Sequence, residues 1–94
     1  MTALTESEIA AFLGEEPLWI FADGKLVREW RFTDFAEAMA FVNRVATVAE
    51  EVGHHPDIDI RYNRVRLSLV THDAGGVTKR DADMAKRFDH EFPH

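Results

Sequence analysis

The sequence has no cysteine. Disulfides, thiolate nucleophiles and cysteine-type zinc sites are therefore excluded. Proline occurs three times and glycine five, and neither clusters into a low-complexity segment. No internal repeat is visible. Basic residues are outnumbered, 11 against 17 acidic, for a net charge of −6. No basic run exceeds the Lys79-Arg80 pair, which argues against a non-specific nucleic-acid binder. No apolar stretch is long enough to span a bilayer. Met1 to Glu8 lacks a cationic segment followed by an apolar one. A cytoplasmic protein without membrane contact is the expectation. There is no Gly-x-Gly-x-x-Gly or P-loop pattern for a nucleotide. Ser7 and Ser68 have no nucleophile-elbow context.

What is present suits a small folded domain. Apolar residues make up 46% of 94, and one domain over residues 1–94 with a single modest core is expected. Thr5-Glu6-Ser7-Glu8 reads as a capping box opening a helix to about Leu13, with Gly14 as its stop. Trp19-Ile20-Phe21 and the alternating run Lys25 to Phe32 flank Asp23-Gly24, a hairpin signal. In the second run Leu26, Arg28, Trp30 and Phe32 share one face. Thr33 or Asp34, the latter with Glu37 placed for a capping box, predicts a capped long helix, along which Phe35, Ala38, Met39, Val42, Val45, Ala46, Ala49 and Val52 step by three and four. Gly53 is a natural left-handed stop. Ile58, Ile60 and Tyr62 alternate with polar residues, as do Val65, Leu67 and Leu69. Two strands follow from this, joined at Asn63-Arg64, the second reaching about Thr71. Thr78 caps a last helix carrying Met84, Ala85 and Phe88. The predicted architecture is α+β: a four-stranded antiparallel sheet covered on one face by helices, in the order α-β-β-α-β-β-α.

Three of the five histidines, His54, His55 and His72, fall at element ends, where a scaffold presents functional groups. Taken singly, each reads as a surface residue. Between Gly53 and Pro56 the backbone is not a regular strand, so both rings of the pair are free to reach one pocket. Glu50 sits in the last helical turn, where negative charge opposes the helix dipole. A contact with a following histidine would relieve that conflict and orient the ring; two solvated glutamates, Glu50 and Glu51, are the plainer alternative. Asp81 also has two readings, as a site acid or as the third residue of a capping box behind Thr78. Three histidines raise the question of zinc. Adjacent rings converge poorly on one ion and the His-x-x-x-His helical spacing is absent, so metal-free acid–base chemistry is the preferred reading.

As a set these residues are more specific. Glu50, His54-His55-Pro56, Tyr62, His72 and Asp81, together with Thr71-His72-Asp73-Ala74-Gly75-Gly76-Val77-Thr78-Lys79-Arg80-Asp81, closely resemble the signature of the pterin-4a-carbinolamine dehydratases. Trp19 and Phe32-Thr33-Asp34-Phe35 resemble the family's early tryptophan and the start of its long helix. Gly53 departs from the Asn or Asp often found there. The resemblance implies dehydration of 4a-hydroxy-tetrahydropterin to quinonoid dihydropterin, recycling the tetrahydrobiopterin of an aromatic amino acid hydroxylase. It implies no cofactor, and a homodimer or homotetramer. By it, His54, His55 and His72 are the catalytic histidines and Glu50 and Asp81 the supporting acids. Trp19, Gly53, His54, His55, Pro56, Val70, Thr71, His72 and Asp73 are the expected pterin contacts. A non-enzymatic dimerisation or regulatory module of the same fold is the alternative.

Overall fold

The computed structural model describes residues 1–93. Helix α1 spans Glu6–Glu15 and opens on the expected reciprocal box: the Glu8 N–H donates to Thr5 Oγ1 at 3.1 Å and the Thr5 N–H to Glu8 Oε1 at 2.9 Å. It does not stop at Gly14. That glycine takes a helical place, and the Glu16 N–H closes the last turn on the Phe12 carbonyl.

Strands β1 (Ile20–Ala22) and β2 (Lys25–Arg31) form the first hairpin. Asp23 and Gly24 both adopt positive φ, 51° and 77°, as a two-residue turn with the twist of its strands requires. Helix α2, Phe35–Val52, is capped by Asp34, which accepts from the Glu37 N–H at 2.9 Å. The return bond differs from the expected box, because Glu37 Oε1 accepts from the Thr33 N–H. Strands β3 (Asp57–Arg61) and β4 (Arg64–Leu69) form the second hairpin. Its turn is Tyr62-Asn63, one residue earlier than predicted, with Tyr62 at φ 53°. A 3-10 turn at His72–Ala74 precedes α3, Lys79–Glu91.

The sheet order is β1-β2-β4-β3, antiparallel throughout. The two hairpins thus join through β2 and β4. Leu26 and Trp30 of β2 and Val65, Leu67 and Leu69 of β4 are buried in one core with Ala38, Phe41, Val45, Val48 and Ala49 of α2 and Met84, Ala85 and Phe88 of α3. This is the predicted α+β architecture. The opposite face of the sheet is charged, with Glu29, Arg66 and Asp59 in one cross-strand row.

Packing resolves the long apolar pattern of α2 into two stripes. Phe41 and Val48 lie in the core, whereas Phe35 and Ala46 are exposed and Met39 and Val42 half-buried. Arg28 follows its predicted face inward. Its guanidinium lies 4.1 Å from the Trp30 ring centroid and is paired with Asp89, as a buried charge requires. No helix among the described residues is long and apolar enough to cross a membrane.

Candidate active site

The site begins where α2 ends. Gly53, at φ 69°, turns the chain out of the helix while its N–H still closes on the Ala49 carbonyl at 2.9 Å. Glycine meets this left-handed geometry without the strain a side chain would add. The next two residues send their rings in different directions. His54 turns inward, and its Nε2 lies 2.6 Å from Asp81 Oδ1. His55 stays at the surface, with its Nε2 2.5 Å from Glu50 Oε2. The Glu50 contact that the dipole argument offered, against the plainer reading of a solvated glutamate, is present, with Glu50 itself still largely exposed.

Asp81 caps α3 with one oxygen and meets His54 with the other. Oδ2 accepts from the Thr78 N–H at 2.8 Å, completing the capping box of α3. It also accepts from the Thr71 hydroxyl at 2.8 Å. Oδ1 faces His54. Thr71 Oγ1 and Thr78 Oγ1 are 2.8 Å apart. With the Thr71 proton given to Asp81, the Thr78 hydroxyl donates to Thr71 and itself accepts from the Arg80 N–H at 3.2 Å. Asp81 and Thr78 are fully buried, so this closed set of bonds is what makes a carboxylate tolerable there. A carboxylate only accepts, so His54 Nε2 carries the proton in this bond, and in the neutral ring Nδ1 is left as an acceptor.

His72 reaches the site from the far side. After β4 the chain closes on itself through a bridge between Thr71 and Gly76, with the Thr71 N–H on the Gly76 carbonyl at 3.0 Å. The 3-10 turn inside that bridge ends on Gly75, at φ 72°. His72 heads this turn and is exposed. None of the side-chain hydrogen bonds among the described residues involves its ring.

These pieces enclose a cavity of about 260 Å³ lined by Gly53, His54, His55, Val70, Thr71, His72, Asp73 and Arg80. Three imidazoles therefore share one wall system. Glu50 and Asp81 stand behind two of them without lining it. Pro56 does not line it. Trp19 is placed elsewhere altogether: it is buried against Trp30 in an edge-to-face contact and donates through Nε1 to Asp89 at 2.8 Å. An apolar ring with one N–H is well satisfied by that core position.

Two participants were not singled out from sequence. Thr78 contributes its hydroxyl to the buried set as well as capping the helix. Arg80 lines the cavity and donates to the Gly53 carbonyl at 3.1 Å. Both lie inside the Thr71–Asp81 motif, so proximity to Asp81 was the available signal.

Known proteins resemble this chain over nearly its whole length. The family model described as pterin 4 alpha carbinolamine dehydratase matches residues 2–91. A protein of Chloroflexus aurantiacus, named provisionally as a pterin-4-alpha-carbinolamine dehydratase, is 53% identical over 89 residues, covering 95% of this chain and 96% of its own. A similarly named protein of Acidobacterium capsulatum is 58% identical over 85 residues, covering 90% and 92%. Among solved structures, a transcriptional coactivator/pterin dehydratase from Brucella melitensis superposes with a TM-score of 0.87 at 37% identity, over 95% of this chain and 97% of that one. A pterin dehydratase-like protein identified as a RuBisCO assembly factor in the alpha-carboxysome gives a TM-score of 0.61 at 25% identity, over 77% and 83%. On the family match and these identities, the chain belongs to the pterin 4 alpha carbinolamine dehydratase family.

Proposed function

We propose that this protein dehydrates 4a-hydroxy-tetrahydropterin to quinonoid dihydropterin at the cavity between the end of α2 and the end of β4. The observation that carries the reading is the convergence of His54, His55 and His72 on one cavity. The reaction breaks the C4a–O bond, and the hydroxyl leaves as water with a proton taken from an imidazolium. The N5 lone pair closes the C4a=N5 double bond, and the N5 proton passes to a neutral imidazole. Protons balance and no electrons are exchanged with an external partner, so the chemistry calls for no redox cofactor. Histidine serves in both directions near neutral pH.

His55 and His72 are assigned to proton transfer. His55 is steadied by Glu50, and the His72 ring is free to turn. His54 is assigned to placing the substrate, because its Nε2–H is committed to Asp81 and its Nδ1 can accept from a ring N–H of the pterin. The single domain acts in the cytoplasm, downstream of an aromatic amino acid hydroxylase that releases the carbinolamine and reuses the recycled tetrahydrobiopterin. Self-association as a homodimer or homotetramer is supported by the second apolar stripe on α2, where Phe35 is half exposed and Ala46 is open.

The test is stopped-flow dehydration of enzymatically generated 4a-hydroxy-tetrahydropterin, with wild type beside His55→Ala. The expected result is acceleration by wild type and loss of most of it in the variant. A folded wild type that binds a dihydropterin without accelerating dehydration would instead favour a non-enzymatic binding module of the same fold.

A further inference from the structure

A second cavity, of about 240 Å³, is lined by Val52, His54, Arg80, Asp83, Met84 and Arg87. His54 and Arg80 line both cavities. The imidazole that Asp81 holds and the Arg80 guanidinium thus stand where the two spaces meet.

The charged groups around this second space are unequally committed. Arg87 is held by Glu51 at 2.5 Å and by Glu91. Asp83 is held by Lys79 at 2.8 Å. Arg80 donates to the Gly53 carbonyl and forms none of the ion pairs among the described residues, so most of its donor capacity is open. Val52 and Met84 supply apolar surface. Such a space suits a ligand segment with an apolar stem and an oxygen acceptor that Arg80 can reach.

The connectivity of the pterin ring says which segment that is. C4a is bonded to N5, and N5 to C6. A ring whose C4a–N5 edge faces the histidines of the first cavity carries its C6 substituent beside that edge, and with C6 turned toward His54 the substituent meets the wall that the two cavities share. We propose that the second cavity is the subsite for the C6 substituent of the pterin, with Val52 and Met84 packing its stem and Arg80 donating to a hydroxyl or carboxylate oxygen on it. On this assignment Val52, Met84 and Arg80 set which pterins are preferred, while the first cavity sets the reaction. The inference rests on the dehydratase reading of the first cavity.

The test measures binding by fluorescence quenching for three stable probes: 6-methyl-7,8-dihydropterin, 7,8-dihydrobiopterin and 7,8-dihydrofolate. Wild type is compared with Val52→Trp, which fills the space from an exposed helix-end position, and with Val52→Ala, which leaves it open. Wild type is expected to bind at least one of the two longer probes about tenfold more tightly than the 6-methyl compound, equivalent to about 1.4 kcal/mol. Val52→Ala, which trims the packing but leaves the space open, lowers that preference in part, and Val52→Trp removes it. Which longer probe gains more distinguishes a hydroxyl acceptor from a carboxylate. Equal affinities for all three probes in wild type, or a Val52→Trp chain that weakens all three alike, overturn the subsite while leaving the dehydratase reading standing. Failure of wild type to bind any probe overturns both.

Discussion

His54 and His55 are neighbours in sequence, and each bonds through Nε2 to a carboxylate, at 2.6 and 2.5 Å. Their surroundings differ completely. The His54 and Asp81 side chains are 12% and 0% exposed, those of His55 and Glu50 60% and 78%. The buried acid accepts two other hydrogen bonds, from the Thr71 hydroxyl and the Thr78 N–H, and sits under the start of α3. The exposed acid competes with water and salt at a helix C-terminus. An exposed pair of this kind is worth roughly 0–1 kcal/mol. Removing one partner of a buried, fully bonded set leaves the others unsatisfied and costs several times more. Near-equal distances therefore describe unequal interactions: one pair is architecture that also orients a ring, and the other is a light restraint on a ring left at the surface.

The largest expected effect falls on the exposed pair and on rate. His55→Ala should lose on the order of 10²–10⁴ in dehydration rate while its urea midpoint stays near wild type. A variant that unfolds would place His55 on the structural side and break the contrast. Next comes Asp81→Ala, which removes the cap, the acceptor for Thr71 and the partner of His54 together. A stability loss of about 2–4 kcal/mol is expected in equilibrium urea unfolding. Thr71→Val sharpens the same side by deleting a single donor to Asp81 at nearly constant shape. A loss of about 1 kcal/mol is expected, with a weakened pterin affinity as His54 loosens. Glu50→Ala should cost less than about 0.5 kcal/mol in stability and lower the rate severalfold. If it proves as destabilising as Asp81→Ala, burial is not what separates the pairs.

The smallest effect concerns an acid outside both pairs. Burial, followed by its hydrogen bond to and repulsion from Asp89, pushes the Glu16 carboxyl above its ordinary value; Glu15 adds to the shift and Lys86 opposes it. A raised acid holds its proton more tightly folded than unfolded. Its contribution is thus most favourable in the acid range and is lost as pH rises from the ordinary carboxylate value through the folded one. Glu16→Gln should flatten that part of the stability–pH curve in thermal melts. An unchanged curve would show that other groups set it.

Much of this was legible in the sequence because the signals are local. Thr5-Glu8, Asp34, Gly53, Asp23-Gly24 and Thr78-Asp81 each act within four residues of chain, and each acts where expected. The errors arose where a local signal met packing. Gly14 reads as a stop, but an α-helix accommodates a glycine at modest cost and α1 continues to Glu15. Period alone could not separate the two stripes of α2, since Phe35 and Ala38 fit one spacing rule equally well. Phe41 and Val48 entered the core because the sheet lies on their side. The second hairpin turns at Tyr62-Asn63 because Asp57–Arg61 and Arg64–Leu69 pair in one register, which outweighs the strain of a tyrosine at positive φ.

At the site, sequence marked the histidines, their flanking acids and the glycine that frees the chain after α2. It determined that Asp81 can cap α3, since that bond spans three residues. Tertiary structure decided that the other oxygen of the same carboxylate would meet His54, 27 residues away, and that Trp19 would serve the core. It also decided that Arg80 would stand between two cavities. Short-range hydrogen bonds are fixed by spacing along the chain, whereas burial and convergence depend on which faces the sheet and helices bring together.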